Sequence, residues 1–97
     1  MRESERHIWM DAKRNPVIVI TETFVGKGKV KLSFHGKNPD PNNEGLSKAL
    51  EEINDSGECE SVAEKKLLET VTEHARKSGF RYTGSKPSGM STINFDL

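Results

Sequence analysis

The sequence predicts an α+β domain in which one antiparallel sheet carries two helices on a single face, in the order (β)ββααββ. Three observations support this fold class. Apolar residues alternate through residues 17–35, which is typical of a β-hairpin. Two stretches, 40–57 and 61–79, repeat apolar residues at the spacing of amphipathic helices. Alternation then returns after residue 79, which indicates further strands.

The register of the hairpin follows from keeping its apolar side chains on one face. Val30, Leu32 and Phe34 share one parity on the second strand, and a slip of one residue would expose half of the apolar set. We therefore expect the opposing pairs Phe24–Val30, Glu22–Leu32 and Ile20–Phe34. This register requires an odd loop, Gly26–Gly28, in which Gly28 adopts the left-handed conformation.

Glu22 interrupts the apolar face of this hairpin. Charged side chains are almost never fully buried without a partner, so we expect Glu22 to lie near a margin of the sheet and to reach water. The alternative is a carboxylate in a cleft with a raised pKa, for which the sequence offers no visible partner.

Each predicted helix has a candidate start and a buried stripe. Asp40 and Pro41 suit the N-cap and the first position of the first helix. Ser61, followed three residues later by Glu64, suits a capping box for the second helix. The buried stripes are Leu46, Ala49, Leu50 and Ile53 in the first helix and Val62, Ala63, Leu67, Leu68, Val71 and Ala75 in the second.

The two ends of the chain are less regular. Residues 1–15 are a candidate loosely packed N-terminal segment around Trp9, and they fit either a first strand or a short helix. Residues 80–83 alternate as a strand, and residues 84–89 suit a flexible loop. A last strand follows at 91–97, with its inward side chains being Ile93, Phe95 and Leu97.

Length and composition limit the classes of protein to which the chain can belong. Ninety-seven residues, 32% hydrophobic and 31% charged, suit one domain spanning residues 1–97 with a modest core. Fifteen basic residues balance fifteen acidic ones, so net charge attracts the chain to neither nucleic acid nor membrane. The sequence shows neither an apolar run of membrane-spanning length nor a signal-peptide core. We therefore expect a cytoplasmic protein without membrane contact.

The sequence has no strong catalytic, cofactor or metal motif. His7, His35 and His74 are too widely separated for a local metal site. Cys59 is the only cysteine, which excludes an internal disulfide, and its acidic neighbours favour an unreactive thiol. The prediction is a protein that is not an enzyme and that has no catalytic, metal-binding or cofactor-binding residues.

These observations favour a small regulatory or inhibitor-type protein that binds another protein. Val17, Val19 and Val25 lie on the hairpin face opposite the core and supply an apolar patch among polar residues. Proteins of this size are often accessory or phage-encoded. The sequence is also compatible with self-association into a homo-oligomer.

The alternative is binding of nucleic acid or of a phosphate-bearing small ligand through a lysine-rich face of the hairpin. Its candidate residues are Lys27, Lys29 and Lys31 near the hairpin tip, with His35 further along the same face. The simpler explanation for these lysines is that they keep an edge strand from pairing with other chains.

Overall fold

A five-stranded antiparallel sheet carries both helices on one face in the computed structural model of the chain, which describes residues 4–87. The elements are β1 (Ser4–Met10), β2 (Pro16–Gly26), β3 (Lys29–Phe34), α1 (Glu44–Asp55), β4 (Glu58–Glu60), α2 (Ser61–Lys77) and β5 (Arg81–Pro87). The strands lie in the order β4-β3-β2-β1-β5. The α+β class that the sequence predicts is therefore confirmed.

The β2–β3 hairpin has the predicted register. The three expected pairs are Phe24–Val30, Glu22–Leu32 and Ile20–Phe34, and all are present. Gly28 has a positive φ of 74°, also as expected. The loop itself is shorter, because Gly26 pairs with Lys29 and leaves a two-residue turn that includes Lys27 at a φ of 58°. A bulge at Val25 supplies the extra residue and keeps the apolar set on one face.

The core lies between the inner face of the sheet and the two helices. Its members are Trp9, Ile18, Ile20 and Leu32 from the sheet, Leu46, Ala49, Leu50 and Ile53 from α1, and Val71 and Ala75 from α2. Phe34 and Leu67 are half-buried at its edge. Phe24 was expected inside but is exposed, because it lies beside the turn of the hairpin.

The N-terminal segment contributes β1, which lies between β2 and β5 in the sheet. Trp9 on this strand has no exposed surface, and its indole N–H donates a hydrogen bond to Thr72 Oγ1 of α2 at 3.1 Å. The sequence is compatible with either a strand or a short helix in this segment, and the structure has a strand. Pairing on both sides satisfies the backbone of this otherwise polar segment.

Two strands differ from the prediction. The strand β4 comes between the two helices along the chain and pairs with β3. It has only three residues, which is too short for an alternating pattern to be recognised in the sequence. Residues 84–87 belong to β5 and not to a loop, because they pair with β1 across a register shift that accommodates Gly84 at a φ of 106°. The strand predicted for residues 91–97 lies outside the described residues.

The predicted start of the first helix is wrong. Asn43 is the N-cap of α1, and its side-chain oxygen accepts a hydrogen bond from the backbone N–H of Leu46 at 3.0 Å. Asp40 instead accepts a hydrogen bond from the hydroxyl of Ser78, at the end of α2, at 2.7 Å. The side chain that the local sequence assigns to a cap therefore joins the loop before α1 to the C-cap of α2.

The predicted capping box of the second helix is also wrong. Glu60 is the N-cap of α2 without a side-chain cap, and Ser61 is the first helical residue. Glu64 is buried while Val62 is 72% exposed. Residues 64, 68, 71 and 75 share one helix face at three- and four-residue spacing, so Glu64 turns toward the sheet.

Candidate functional site

The candidate site is a cluster of ionisable side chains on the helix-covered face of the sheet. Glu5 and His7 are two residues apart on β1 and therefore point to the same face. Glu22 lies directly opposite Glu5 on β2, which is the central strand of the sheet. His7 and Glu22 are 7% and 6% exposed. The expectation that Glu22 reaches water at a sheet margin is wrong, because β1 and β3 flank it on both sides.

His7 is held at both ring nitrogens. Nε2 lies 2.6 Å from Oε1 of Glu22, and Nδ1 lies 2.9 Å from the hydroxyl of Tyr82. An ionised carboxylate only accepts hydrogen bonds, so in the neutral tautomer that carries its proton on Nε2, His7 donates to Glu22 and accepts from the Tyr82 hydroxyl at Nδ1. Burial raises the pKa of Tyr82, and neighbouring carboxylates raise it further, so the phenol keeps its proton at neutral pH.

Glu64 brings a second carboxyl group to Glu22 from the first turn of α2. Its side chain is buried and lies within hydrogen-bonding reach of the Glu22 carboxyl group. Desolvation raises the pKa of Glu64 to about 7, and the hydrogen bond and the negative charge of Glu22 act in the same direction, whereas Lys65 opposes them. The Glu64 carboxyl group therefore exchanges a proton near neutral pH.

A cleft of about 600 Å³ opens onto this cluster between α2 and the inner face of β1, β2 and β5. Its buried lining consists of His7, Glu22 and Glu64, and Tyr82 forms the facing wall. Leu68 supplies an apolar surface on α2. The exposed charged side chains at its mouth are Lys65, Glu69, Glu73 and Arg76.

The buried part of the cleft is acidic. Among the described lining residues, the lysine and the arginine are both exposed, while two of the three buried side chains are carboxyl groups. Such a site attracts a cation, because buried carboxylates are costly without a positive partner. The connected carboxylate, imidazole and phenol can also accept a proton and distribute it by hydrogen bonding.

Three side chains of the cluster could hold a metal ion together. Ligand atoms of Glu5, His7 and Glu22 all lie within 4.8 Å of one another. One imidazole nitrogen and two carboxylate oxygens are a donor set that divalent first-row metals accept.

Cys59 lies near this cluster, on β4, and is half-buried. Burial raises the pKa of its thiol, and the charges of Glu64 and Glu22 raise it further. The direction agrees with the expected unreactive thiol. The responsible carboxylates are on the inner face of the fold, however, and are not the sequence neighbours of Cys59.

The residues predicted to bind a partner are not gathered at this cleft. Val17, Val19 and Val25 are half-buried, and Lys27, Lys29, Lys31 and His35 are exposed. Val17 and Val19 have the parity opposite to that of the buried isoleucines of β2, so they lie on the outer face of the sheet. Val25 is eight residues from Val17 along the same strand, about 26 Å away. The three valines therefore do not form a single patch.

The lysine stripe is partly balanced by acidic residues on the neighbouring strand. Lys29 lies opposite Glu60, and Lys31 lies opposite Glu58, in the antiparallel pairing of β3 with β4. Opposite charges at such positions attract each other and reduce the positive potential of the surface. The sequence could not show this, because it gives no sign of β4.

Comparison with known proteins gives no match to a protein-family model, to a curated protein or to a solved structure. No helix among residues 4–87 is long and apolar enough to cross a membrane.

Sequence reasoning missed the cluster, although a signal for it was present. If residues 4–10 are assigned as a strand, the parity of buried Trp9 places His7 and Glu5 on the inner face. The same parity on β2 places Glu22 beside Ile18 and Ile20. Antiparallel pairing of the two strands then supplies the partner that Glu22 lacked in the sequence.

Proposed function

We propose that the protein is a small, non-enzymatic binding protein that takes a cationic ligand into the cleft beneath α2. The observation that carries this proposal is the buried cluster of Glu22, Glu64 and His7 on the lining of the cleft, with Glu5 beside it. The cluster contains three carboxyl groups and one imidazole, and Glu22 is hydrogen-bonded to that imidazole. A positive ligand would offset the cost of burying them.

The walls of the cleft suit a compact ligand. Tyr82 is 42% exposed and lines the cleft, so part of its ring is accessible to a cation. Leu68 offers apolar contact on the opposite side. A volume of about 600 Å³ falls within the range of small-molecule sites.

Binding is proposed in preference to catalysis because the polar groups of the cluster bond one another. Both ring nitrogens of His7 have protein partners, Glu22 on one side and Tyr82 on the other. A general base needs a free acceptor aimed at its substrate. The cluster is instead arranged as a hydrogen-bonded lining of the cleft.

The proposal is tested with two probes of similar shape and opposite charge, phenethylammonium and phenylacetate. Amide and side-chain NMR shifts of the isotope-labelled full chain are followed during each titration. We expect the ammonium probe to shift Leu68 and Tyr82, and the acetate probe to leave them unchanged. Glu22→Gln should weaken binding about tenfold, a loss of about 1.4 kcal/mol, whereas Glu69→Gln at the mouth should have little effect.

Two results would contradict the proposal. Binding of phenylacetate as tight as that of phenethylammonium would show that charge does not select the ligand. Equal affinity of the ammonium probe for the parent and Glu22→Gln would place its site away from the buried cluster.

A second candidate function is binding of a protein partner on the outer face of the sheet, as the sequence suggested. No helix of residues 4–87 packs on that face, which has half-buried Ile8, Met10, Val17 and Val19. The parent should then capture one defined protein from a nuclease-treated lysate. The Val19→Asp variant should fail to capture that protein, whereas the control Thr23→Asp should still capture it. Equal capture by both variants would oppose this candidate.

Nucleic-acid or phosphate binding through Lys27, Lys29 and Lys31 stays a prediction. The acidic residues opposite two of these lysines make it the weaker proposal. A salt titration of oligonucleotide binding tests it, because affinity for phosphates falls steeply with salt. Absence of binding at low salt would exclude nucleic acid.

A further inference from the structure

We infer that the cation of this cleft is a divalent transition-metal ion, bound by Glu5, His7 and Glu22. The inference rests on the proposed function, because it names the chemical class of the cation. Organic ammonium ions need only negative charge and an aromatic wall, whereas a metal ion needs donor atoms at defined positions. The cluster provides such positions.

The backbone fixes the three donors before any ligand arrives. Glu5 and His7 are i and i+2 on β1, and Glu22 is the cross-strand partner of Glu5 on β2. Side chains in these relations lie on one face and within about 4.5–7 Å of one another at Cβ. Both strands lie in the interior of the sheet, so their spacing is held by hydrogen bonding on both sides.

The distances allow a metal ion to enter with small side-chain movements. Nε2 of His7 and Oε1 of Glu22 are 2.6 Å apart, and all three donor atoms fall within 4.8 Å. Two donors bound to zinc at about 2.1 Å are about 3.0–3.4 Å apart. The ion would take the place of the hydrogen-bonding proton between Nε2 and Glu22, and the two groups would separate by less than about 1 Å.

Tyr82 orients the imidazole as a metal site requires. Its hydroxyl oxygen lies 2.9 Å from Nδ1 of His7, on the side of the ring opposite Glu22. When a metal ion occupies Nε2, Nδ1 carries the proton and donates to that oxygen. Metal-bound histidines nearly always donate their second N–H to an oxygen acceptor, commonly a carboxylate, a backbone carbonyl or water, which fixes the ring and its tautomer. The Tyr82 oxygen is in position to be that acceptor here.

The donor set favours a zinc-like ion over magnesium. An imidazole nitrogen is a good ligand for zinc, cobalt or copper, whereas magnesium prefers oxygen donors and retains its waters. Three protein ligands leave at least one position for another group, and His7 and Glu22 both line the cleft. The open position therefore faces the cavity, where an anionic or neutral donor of a small molecule could join the ion.

The test uses the full chain, freed of metal with a chelator and then dialysed. Zinc binding is measured by calorimetry, and cobalt binding by the visible absorption that low-symmetry coordination produces. We expect one ion per chain, weaker binding of magnesium, and a higher melting temperature with zinc. Glu22→Gln and Glu5→Gln should each lower zinc affinity about 100-fold, and Tyr82→Phe about tenfold.

Matched controls separate the site from general surface binding. His35→Gln and Glu52→Gln remove an exposed imidazole and an exposed carboxylate away from the cleft, and they should leave zinc affinity unchanged. Glu5→Gln is the most informative ligand variant, because Glu5 is half-buried and outside the hydrogen bonds of His7, so its loss should leave the fold intact.

The outcomes distinguish failure of the metal inference from failure of the proposed function. If phenethylammonium binds and zinc does not, the metal inference is wrong and the proposal of a cleft that binds an organic cation stands. If zinc binds Glu5→Gln and Glu22→Gln as tightly as it binds the parent, the ion lies elsewhere and the inference is overturned. If neither probe binds, both proposals fail.

Discussion

Replacing Glu64 with glutamine should stabilise the metal-free protein at alkaline pH. In the folded chain the pKa of Glu64 is raised from 4.5 to about 7, first by desolvation and then by Glu22. The folded state therefore binds this proton more tightly than the unfolded state. Stability that depends on the proton is complete below about pH 4.5 and is lost as the pH rises to about 7. Glutamine is neutral throughout and avoids the loss.

The size of the effect follows from the same shift. A pKa change from 4.5 to about 7 has an upper limit of about 3 kcal/mol, and contact with the open cleft screens part of it. We therefore expect Glu64→Gln to be more stable than the parent by about 1–3 kcal/mol at pH 8 and equal to it at pH 4. The glutamine amide can donate to Glu22 and so retains the hydrogen bond.

The assay is urea unfolding from pH 4 to pH 8.5 in the presence of a chelator, for the parent and the variant. Groups that remain in both proteins, including His7, Glu5 and Lys65, cancel to first order in the difference between the two free energies of unfolding. Glu69→Gln, on the exposed side of the same helix, is the control and should track the parent. A difference between Glu64→Gln and the parent that is constant with pH would refute the reasoning, since the group would then not titrate in this range.

Three further predictions concern the helices. Gly45→Ala should lower the free energy of unfolding by about 1–3 kcal/mol, because a Cβ there would overlap the imidazole of His74. The same change in a His74→Ala background should cost much less in urea unfolding, and an equal cost would show that the contact is not responsible. Asn43→Ala should cost about 1 kcal/mol as the cap of α1. Ser61→Ala should change the melting temperature little, because Ser61 is inside the first turn of α2.

The hairpin could be predicted from sequence because one physical requirement determined it. Strict alternation on β3 leaves a single register that buries Val30 and Leu32 together with Ile20. The turn was less well determined, since a three-residue loop and a two-residue turn with a bulge both preserve that parity. The alternation of apolar positions specifies which side chains point inward, whereas turns of different length are compatible with the same alternation.

The helix starts were mispredicted because several local patterns were compatible with them. Asp40 and Asn43 are both good N-cap residues, and the choice between them depends on Ser78, which lies at the far end of α2. Ser61 and Glu64 fit a capping box, but Glu64 has a partner on the sheet. In both cases, contacts between distant elements decide what the local sequence leaves open.

The candidate site was harder to predict than the fold because its members are distant in sequence. Glu22 is 15 residues from His7, and Tyr82 is 75 residues from it. The only local signal was a charged residue in an otherwise apolar stripe. Its meaning depended on whether residues 4–10 form a strand, which composition alone does not decide.

That charged residue is also the strongest argument that the cleft is functional. A leucine at position 22 would continue the inner stripe of Ile18 and Ile20 without requiring any partner. Glu22 instead requires His7, and it lies beside a second carboxyl group, Glu64, that burial makes unfavourable to ionise. Sequences that break a local rule in the core tend to do so at functional sites. Glu22 departs from the apolar pattern at the point where the cleft reaches the sheet, and a cationic ligand bound there would offset the cost of burying its carboxyl group.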